Sequence, residues 1–367
     1  MRYDYLIIGA GFAGSVMAER LASQFDKKIL LVEKRNHIGG NAFDEYDEYG
    51  ILVHKYGPHI FHTNSKEVFD YLSQFTEWRF YEHKVLANYQ GDLFPIPINR
   101  TTINKFFDLH LTTEGEVKNF LSTKIEKRFP ILNSEDIIIN QVGRELFEAF
   151  FKNYTKKQWN LFPHELSPSV CGRIPVRFND DSRYFTDKYQ FMPKDGYTKM
   201  FEKMLSRKNI EIALNTDYKN VLNEIKFDKM IYTGPIDSFF DYEFGKLPYR
   251  SIKFDYEHYE KQNHQSTGQV NHVDMEEEFT RVTEYKYLTL QEAKTTTISR
   301  EYSLKEGEPF YPIPTDANRA LYLKYRHKTE QEKNVIFCGR LAEYQYYNMD
   351  QVVANCLHFL KSKADTI

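Results

Sequence analysis

The hydrophobic pattern is sharpest at the N-terminus. Asp4-Tyr-Leu-Ile-Ile8 is a short apolar run closed by Gly9, the pattern of a strand buried on both faces. From Phe12 to Phe25 apolar residues recur at helical spacing through Val16, Met17 and Leu21. Lys28-Ile-Leu-Leu-Val32 is a second apolar run, ended by Glu33. Strand, helix and strand in this order and length predict a βαβ unit.

Further along, Asp44 to Thr63 is rich in Gly and Tyr and is predicted irregular. Ser65 to Phe75 predicts a helix with Ser65 as N-cap and Val68, Leu72 and Phe75 on one face. Val85 to Tyr89, Gly91-Asp92 and Leu93-Phe94 predict two strands joined by a turn. Helical periodicity and charge dominate Asn99 to Asn160, most clearly from Ile137 to Tyr154, where Val142, Leu146, Phe147 and Phe150 share a face. Pro163, Pro168, Pro175 and Pro193 punctuate a segment predicted to be a long loop or linker. Tyr197 to Leu205 predicts a helix, and Ile210 to Leu214 and Lys229 to Tyr232 predict short strands. Tyr249 to Tyr302 alternates as antiparallel sheet does. Asn334 to Cys338 is an apolar strand running into Gly339-Arg340, and Met349 to Leu360 is a closing helix. No internal repeat or low-complexity tract interrupts this order.

The 367 residues suffice for two or three domains with substantial cores. With 49 Lys and Arg against 52 Asp and Glu, the net charge of −3 argues against a bulk nucleic-acid binder. No apolar run reaches the ~18 residues of a membrane helix. The N-terminus lacks the pattern of a signal peptide, so the expected compartment is the cytoplasm. Cys171, Cys338 and Cys356 lie far apart without a CxxC, which encodes neither a disulfide framework nor a zinc site. Aromatic residues make up 16% of the chain, and the 27 tyrosines among them carry polar tips suited to a wet pocket that recognises rings or sugars.

Gly9-Ala-Gly11-Phe-Ala-Gly14 follows a predicted strand and opens a predicted helix, with Glu33 nineteen residues beyond Gly14. In that context the first glycine makes the turn, the second admits a pyrophosphate and the third packs helix on strand. The helix N-terminus offers N–H groups to phosphate, and Glu33 accepts ribose hydroxyls while repelling a 2′-phosphate. Gly39-Gly40-Asn41 and the distant Gly339-Arg340 before a helix favour FAD over NAD, because they extend the cradle beyond one βαβ unit. His54, His59 and His62 lack a fourth ligand or a ligand-bearing helix, so they read as hydrogen-bond donors near a flavin rather than as a zinc site. Tyr154-Thr-Lys-Lys-Gln-Trp159 reads by spacing alone as a hydrophobic anchor at a helix end. Arg173 and Arg177 are either solvated or a mobile clamp for a diphosphate. Tyr311 and the run Tyr344-Gln-Tyr346-Tyr347 add rings and hydroxyls that spacing does not assign to a ligand.

Taken together, the N-terminal fingerprint, Glu33-Lys-Arg-Asn-His-Ile-Gly-Gly-Asn41, His54-Lys-Tyr-Gly-Pro-His-Ile-Phe-His-Thr-Asn64, Tyr154 to Trp159, Arg173-Ile-Pro-Val-Arg-Phe178 and Gly339-Arg-Leu-Ala-Glu-Tyr344 closely resemble bacterial UDP-galactopyranose mutases. The resemblance runs from the first strand to the last helix. It implies an isomerase that interconverts UDP-galactopyranose and UDP-galactofuranose, supplying galactofuranose for surface polysaccharide. It further implies that the N5 of reduced FAD attacks the anomeric carbon and displaces UDP, and that the sugar recloses through another hydroxyl without net redox change. By matching motifs, Arg173 and Arg281 resemble the family's diphosphate arginines and join His62 as catalytic residues. Tyr184, Tyr311 and Tyr346 resemble its diphosphate tyrosines. Tyr154 and Trp159 match its uridine cradle, with Phe150, Thr155, Phe185 and Asn271 as further substrate contacts. Gly9, Gly11, Phe12, Gly14, Glu33, Lys34, Gly40, Asn41, His59, Ile60, Arg340, Tyr347, Asn348, Met349 and Asp350 match its cofactor contacts. Two departures stand out. Asn348 replaces a frequent Asp, and Glu82 lies where the family can have an amide near the uracil.

The expected fold is α/β, with a discontinuous Rossmann-like FAD-binding domain (1–74, 194–240 and 332–367), an inserted helical domain (98–166) and an antiparallel β-sheet domain carrying a mobile substrate loop (75–97, 167–193 and 241–331). Ligands are expected in the cleft between them. The family further implies a homodimer and an external flavin reductant, with no nucleic acid, membrane or metal. The rivals are a flavin oxidase of the same fold, which would consume substrate and oxygen, and a nucleotide-sugar-binding protein without turnover.

Overall fold

The apolar runs at Asp4 and Lys28 become neighbouring parallel strands, Arg2–Ile8 and Ile29–Val32, in the computed structural model, which describes residues 2–363. Ile210–Ala213, Lys226–Tyr232 and Val335–Phe337 complete a five-stranded sheet that is parallel throughout, with Arg2–Ile8 at its centre. The continuous apolar pattern has its cause here, because Leu6, Ile7 and Leu31 are all fully buried. Each such side chain contributes about 1.5–3 kcal/mol relative to exposure.

The chain divides into two compact units. The first gathers residues 1–81, 187–248 and 319–367 around the parallel sheet, and the second gathers residues 82–186 and 249–318. In the first unit, the stretch from Asp44 to Thr63 carries more regular structure than its composition predicts. Asp44–Tyr46 pairs with Leu52–His54, and Phe61–Thr63 pairs with Tyr189–Pro193, which also pairs with Trp78–Phe80. The partner of Phe61–Thr63 is remote in sequence, so a local window misses it. Ser65 caps the Lys66–Leu72 helix, its hydroxyl accepting from the Val68 N–H.

The second unit holds a seven-stranded sheet and the helices between Arg100 and Trp159. Val85–Tyr89 and Asp92–Ile96 form the predicted hairpin. Tyr249–Tyr259 runs antiparallel to Thr296–Leu304, from Ser251 opposite Leu304 to Tyr259 opposite Thr296. The sheet is mixed rather than wholly antiparallel, because Gln269–His272 lies parallel to Val85–Tyr89. Asn99, Thr113 and Asn133 cap the Arg100–Phe107, Glu114–Ser122 and Ser134–Phe147 helices, each accepting a backbone N–H in the first turn. A cap of this kind is worth about 1 kcal/mol. Within the proline-rich segment only Pro163–Glu165 and Ser169–Gly172 are helical.

The single helix predicted over Ile137 to Tyr154 is instead three pieces. Ser134–Phe147 bends at Gly143 (φ 80°, ψ 173°), a wide π-turn spans Glu148–Lys152, and Asn153–Trp159 follows. The apolar periodicity runs through all three, which conceals the breaks. Gly143 is obligatory at its bend, since a Cβ there would lie 2.4 Å from the Lys124 carbonyl oxygen. Gly143→Ala is therefore expected to destabilise the protein by about 1–3 kcal/mol. A denaturant titration checks this, and an unchanged midpoint would contradict the assigned backbone.

Candidate functional site

The glycine loop of the first unit is shaped by close backbone contact. Gly9 has φ 98°, and a Cβ on it would lie 2.3 Å from Thr233 Oγ1. A Cβ on Gly14 would meet the Gly9 carbonyl oxygen at 1.9 Å, and one on Gly40 would meet Gly11 Cα at 2.8 Å. Gly339 closes the same region, because a Cβ there would lie 2.9 Å from that of Ala13. The Phe12–Phe25 helix begins at Gly11 with no side chain capping its first N–H groups. Uncapped N–H groups at a helix N-terminus, with glycine backbone packed beside them, form a cradle that a pyrophosphate fits.

Glu33 stands at the end of its strand, buried, where it accepts the Ala10 N–H at 2.9 Å and the Arg35 N–H at 2.9 Å. A carboxylate offers about four acceptor positions, so two remain for ribose hydroxyls. Arg35 in turn donates to Asn41 Oδ1 at 3.0 Å and lies over the Tyr56 ring, which holds the loop between Glu33 and Gly40. Lys34 is exposed. Arg340 donates to the Tyr347 carbonyl and lies 5.7 Å from the Tyr346 ring centroid. Asn348 is the N-cap of the Met349–Ser362 helix, and its N–H donates to Gln351 Oε1 at 2.9 Å. Asn caps as well as Asp does, so the substitution preserves this helix start.

The three histidines do not converge on one point. His54 is buried, and desolvation pushes it down to about 3. Its Nδ1 accepts the His59 N–H at 3.1 Å. His59 is likewise held neutral, at about 3, chiefly by burial. Its Nδ1 lies 2.9 Å from the Gly57 carbonyl and must carry the ring proton, which makes Nε2 an acceptor. The one donor of a neutral His59 ring is therefore engaged within the chain. His62 Nδ1 pairs with Asp187 Oδ2 at 2.9 Å, and Asn64 donates to the other oxygen of that carboxylate at 2.7 Å. Ile60 lies between them, half-buried.

In the second unit, the Asn153–Trp159 helix and three strands collect most of the expected substrate residues. Trp159 is buried with its ring 6.4 Å from that of Tyr311. Tyr154 packs against the hydrophobic core, and Thr155 Oγ1 lies 3.6 Å from Cys171 Sγ. Phe150 is a core residue, with rings of Phe94, Phe106 and Tyr89 at 5.2, 5.5 and 5.6 Å. Tyr184 and Phe185 meet edge to face at 5.0 Å, and His83 stacks on Phe185. Asn271 Oδ1 accepts from Gln269 Nε2 at 2.9 Å. Arg281 pairs at 3.0 Å with Glu301, which lies directly opposite on the next strand. Burial pushes the Glu301 carboxyl up, and Arg281 pulls it back toward ionisation. Arg173 is exposed at the end of the Ser169–Gly172 helix. Arg177 instead donates to the Asp181 and Arg183 carbonyls and fixes a turn. Glu82 pairs with Arg183 at 3.4 Å. Tyr346 belongs to the first unit, with Arg340, and His62 does too.

Sequence reasoning passed over Asp187, Glu301 and Arg250. Arg250 is 3% exposed, donates from Nε to the Gln158 carbonyl at 3.1 Å and from Nη2 to Ser303 Oγ at 2.8 Å, and forms no ion pair among the described residues. Burial lowers its affinity for its proton. No motif marks any of these residues, because each acts through a partner distant in sequence.

A sequence model of UDP-galactopyranose mutase matches residues 149–346, and one of the NAD(P)-binding Rossmann-like domain matches residues 7–75. The chain is 39% identical to a probable UDP-galactopyranose mutase of Klebsiella pneumoniae, over 99% of this chain and 96% of that protein. It is 36% identical to a dTDP-fucopyranose mutase of Escherichia coli, over 96% of each. The crystal structure of a reduced UDP-galactopyranose mutase superposes with a TM-score of 0.79 at 16% identity, covering 99% of this chain and 94% of that one. No helix among the described residues is long and apolar enough to cross a membrane.

The buried histidines set an acid limit. A folded pKa held below the unfolded ~6.5 means that the unfolded chain binds the extra proton first. Stability is therefore expected to fall as pH drops below about 6.5, at ~1.4 kcal/mol per pH unit for His54. Melting temperatures between pH 7.5 and 5 should show a shallower acid limb for His54→Asn than for the parent. Equal limbs would place the acid sensitivity elsewhere.

Proposed function

The chain belongs to the UDP-galactopyranose mutase family, and from that membership we propose that it interconverts UDP-galactopyranose and UDP-galactofuranose on reduced FAD with no net redox change. The observation that carries this reading is the match along 99% of the chain to a 39% identical mutase. A shared flavin-binding fold alone would suit an oxidase equally. When bound and reduced, FAD supplies the nucleophile, its N5 atom, for the anomeric carbon.

The chain's own residues bind and orient. Gly9, Gly11, Phe12 and Gly14 take the pyrophosphate, and Glu33 takes a ribose. Lys34, Gly40, Asn41, His59, Ile60 and Arg340 line the remainder of the cofactor with Tyr347, Asn348, Met349 and Asp350, whose helix start adds a favourable dipole. On the substrate side, Arg173 and Arg281 neutralise the diphosphate as UDP departs, since charge then develops on its oxygens. Tyr184, Tyr311 and Tyr346 add hydroxyl donors, while Tyr154 and Trp159 cradle the pyrimidine. Family membership also supports a cytoplasmic homodimer with an external reductant, feeding surface polysaccharide synthesis.

Glu33→Ala is expected to lose FAD on dilution, because a ribose acceptor and the tie to the Ala10 N–H go together. Full yellow colour at limiting cofactor would count against the cradle. Chromatography of UDP-galactose incubated with the dithionite-reduced protein should show furanose formation, and the oxidised protein should be nearly inactive. Equal turnover in the two states would sink the N5 mechanism, and turnover of a dTDP-sugar in preference to UDP-galactose would reassign the substrate. Arg173→Ala and Arg281→Lys should each lose ~10²–10³ in rate and stay yellow. Lysine is used at the second position because alanine would strand the buried Glu301 carboxylate. Arg177→Ala should lower the melting temperature with much less effect on turnover. A dead Arg177→Ala beside a normal Arg173→Ala would invert this assignment.

A further inference from the structure

Three consecutive residues fasten the last turn of the Asn153–Trp159 helix, and the first of them has no place in the reading above. Lys157 Nζ donates to the carbonyl oxygens of Glu277 at 3.0 Å and Phe279 at 3.1 Å. The Gln158 carbonyl accepts from Arg250 Nε at 3.1 Å and Ser303 Oγ at 2.5 Å. Trp159 then packs against Tyr311. Lys157 thus ties the helix that bears Tyr154, Thr155 and Trp159 to the loop that enters the Arg281–Glu284 strand, two residues before Arg281.

A surface lysine keeps its stem on the protein and its head in water. This one turns its head onto two main-chain oxygens. Glu277 and Asp274 lie on the same loop, and His272 faces Glu277 at 3.8 Å from the adjoining strand. Arg300 covers the Phe279 ring from the neighbouring strand at 5.5 Å, and His272 meets the same ring edge to face. Burial outweighs the attraction of Glu277 and Asp274 and draws the ammonium down to about 8. Above that value the amine keeps two N–H donors for the two carbonyl oxygens but loses the charge that strengthens those bonds.

We propose that Lys157 is a positioning residue, whose ammonium locks the Glu277–Phe279 loop to the Asn153–Trp159 helix and so sets Arg281 for a nucleotide diphosphate. The proposal rests on reading the second unit as the nucleotide-diphosphate site. It assigns the loop a place in affinity and gives the site an alkaline limit.

The test is calorimetric binding of UDP to the flavin-loaded, full-length protein at pH 7, 8 and 9.5, for the parent, Lys157→Arg and Lys157→Met. The diphosphate of UDP is already ionised at pH 7, while its uracil N3–H ionises toward the alkaline end of this range, a change shared by every variant, so each profile is read relative to that of Lys157→Arg. Parent affinity should fall about tenfold further than that of Lys157→Arg from pH 7 to 9.5, the worth of one charge-assisted hydrogen bond. Lys157→Arg keeps its charge and should bind UDP near the parent's pH 7 value, showing only the fall due to the uracil. Lys157→Met should bind about tenfold more weakly at pH 7 and run parallel to Lys157→Arg. A Lys157→Met protein that melts normally and binds UDP like the parent overturns the proposal. So does a Lys157→Arg protein that keeps the parent's alkaline fall, a comparison that stands even if the methionine variant fails to fold. A parent that binds no UDP at pH 7 overturns the nucleotide reading itself, and this inference with it.

Discussion

Backbone meets backbone around the start of the Phe12–Phe25 helix, and the first unit is arranged to permit it. Gly14 rests on the Gly9 carbonyl, Gly40 on Gly11 and Gly339 on Ala13, and at each contact a Cβ would lie under 3 Å from its neighbour. Strand, helix and two separate loops approach one another this closely because Gly9, Gly14, Gly40 and Gly339 carry no Cβ. The parallel sheet beneath fixes where those loops begin, since Gly9 follows the central strand and Gly339 follows the edge strand Val335–Phe337. A bound phosphate at that point would meet N–H groups and no bulk, which is the physical content of the fingerprint.

The second unit solves a different problem, that of presenting polar groups from a scaffold filled by rings. Phe94, Phe106, Tyr89 and Phe150 pack edge-on and tilted with ring centroids no more than 6.5 Å apart, and Phe150 joins that cluster from the π-turn that follows the break at Gly143. The same turn redirects the chain so that Asn153–Trp159 begins a fresh helix. An unbroken helix would carry Phe150 and Tyr154 on one stripe.

What was legible in the sequence was local. The βαβ unit, the Ser65 cap and the Val85–Phe94 hairpin each depend on residues close together along the chain, and the glycines and Glu33 fall within that reach. The strand Phe61–Thr63 was not legible, because its hydrogen bonds go to Tyr189–Pro193. The parallel pairing of Gln269–His272 with Val85–Tyr89 was hidden for the same reason, as alternation of residue types does not record direction. Among the expected site residues, motif resemblance named Arg281 and His62 but not Glu301 and Asp187, with which they pair. A carboxylate that acts by facing an arginine across a strand pair has no signature of its own.

Charge in the second unit is distributed unevenly, and the unevenness is informative. Arg281 faces Glu301, so the pair as a whole adds little positive potential, although it gives the guanidinium a fixed direction. Arg250 and Lys157 are held by carbonyl and hydroxyl oxygens, which carry partial charge only. A cation kept away from bulk water against neutral acceptors is destabilised, as the lowered proton affinity of both residues records. Direction and desolvation therefore fall on different residues. Arg281 is aimed by a carboxylate on the next strand, whereas Arg250 is held by a carbonyl and a hydroxyl, and Lys157 by two carbonyls with Glu277 and Asp274 on the same loop.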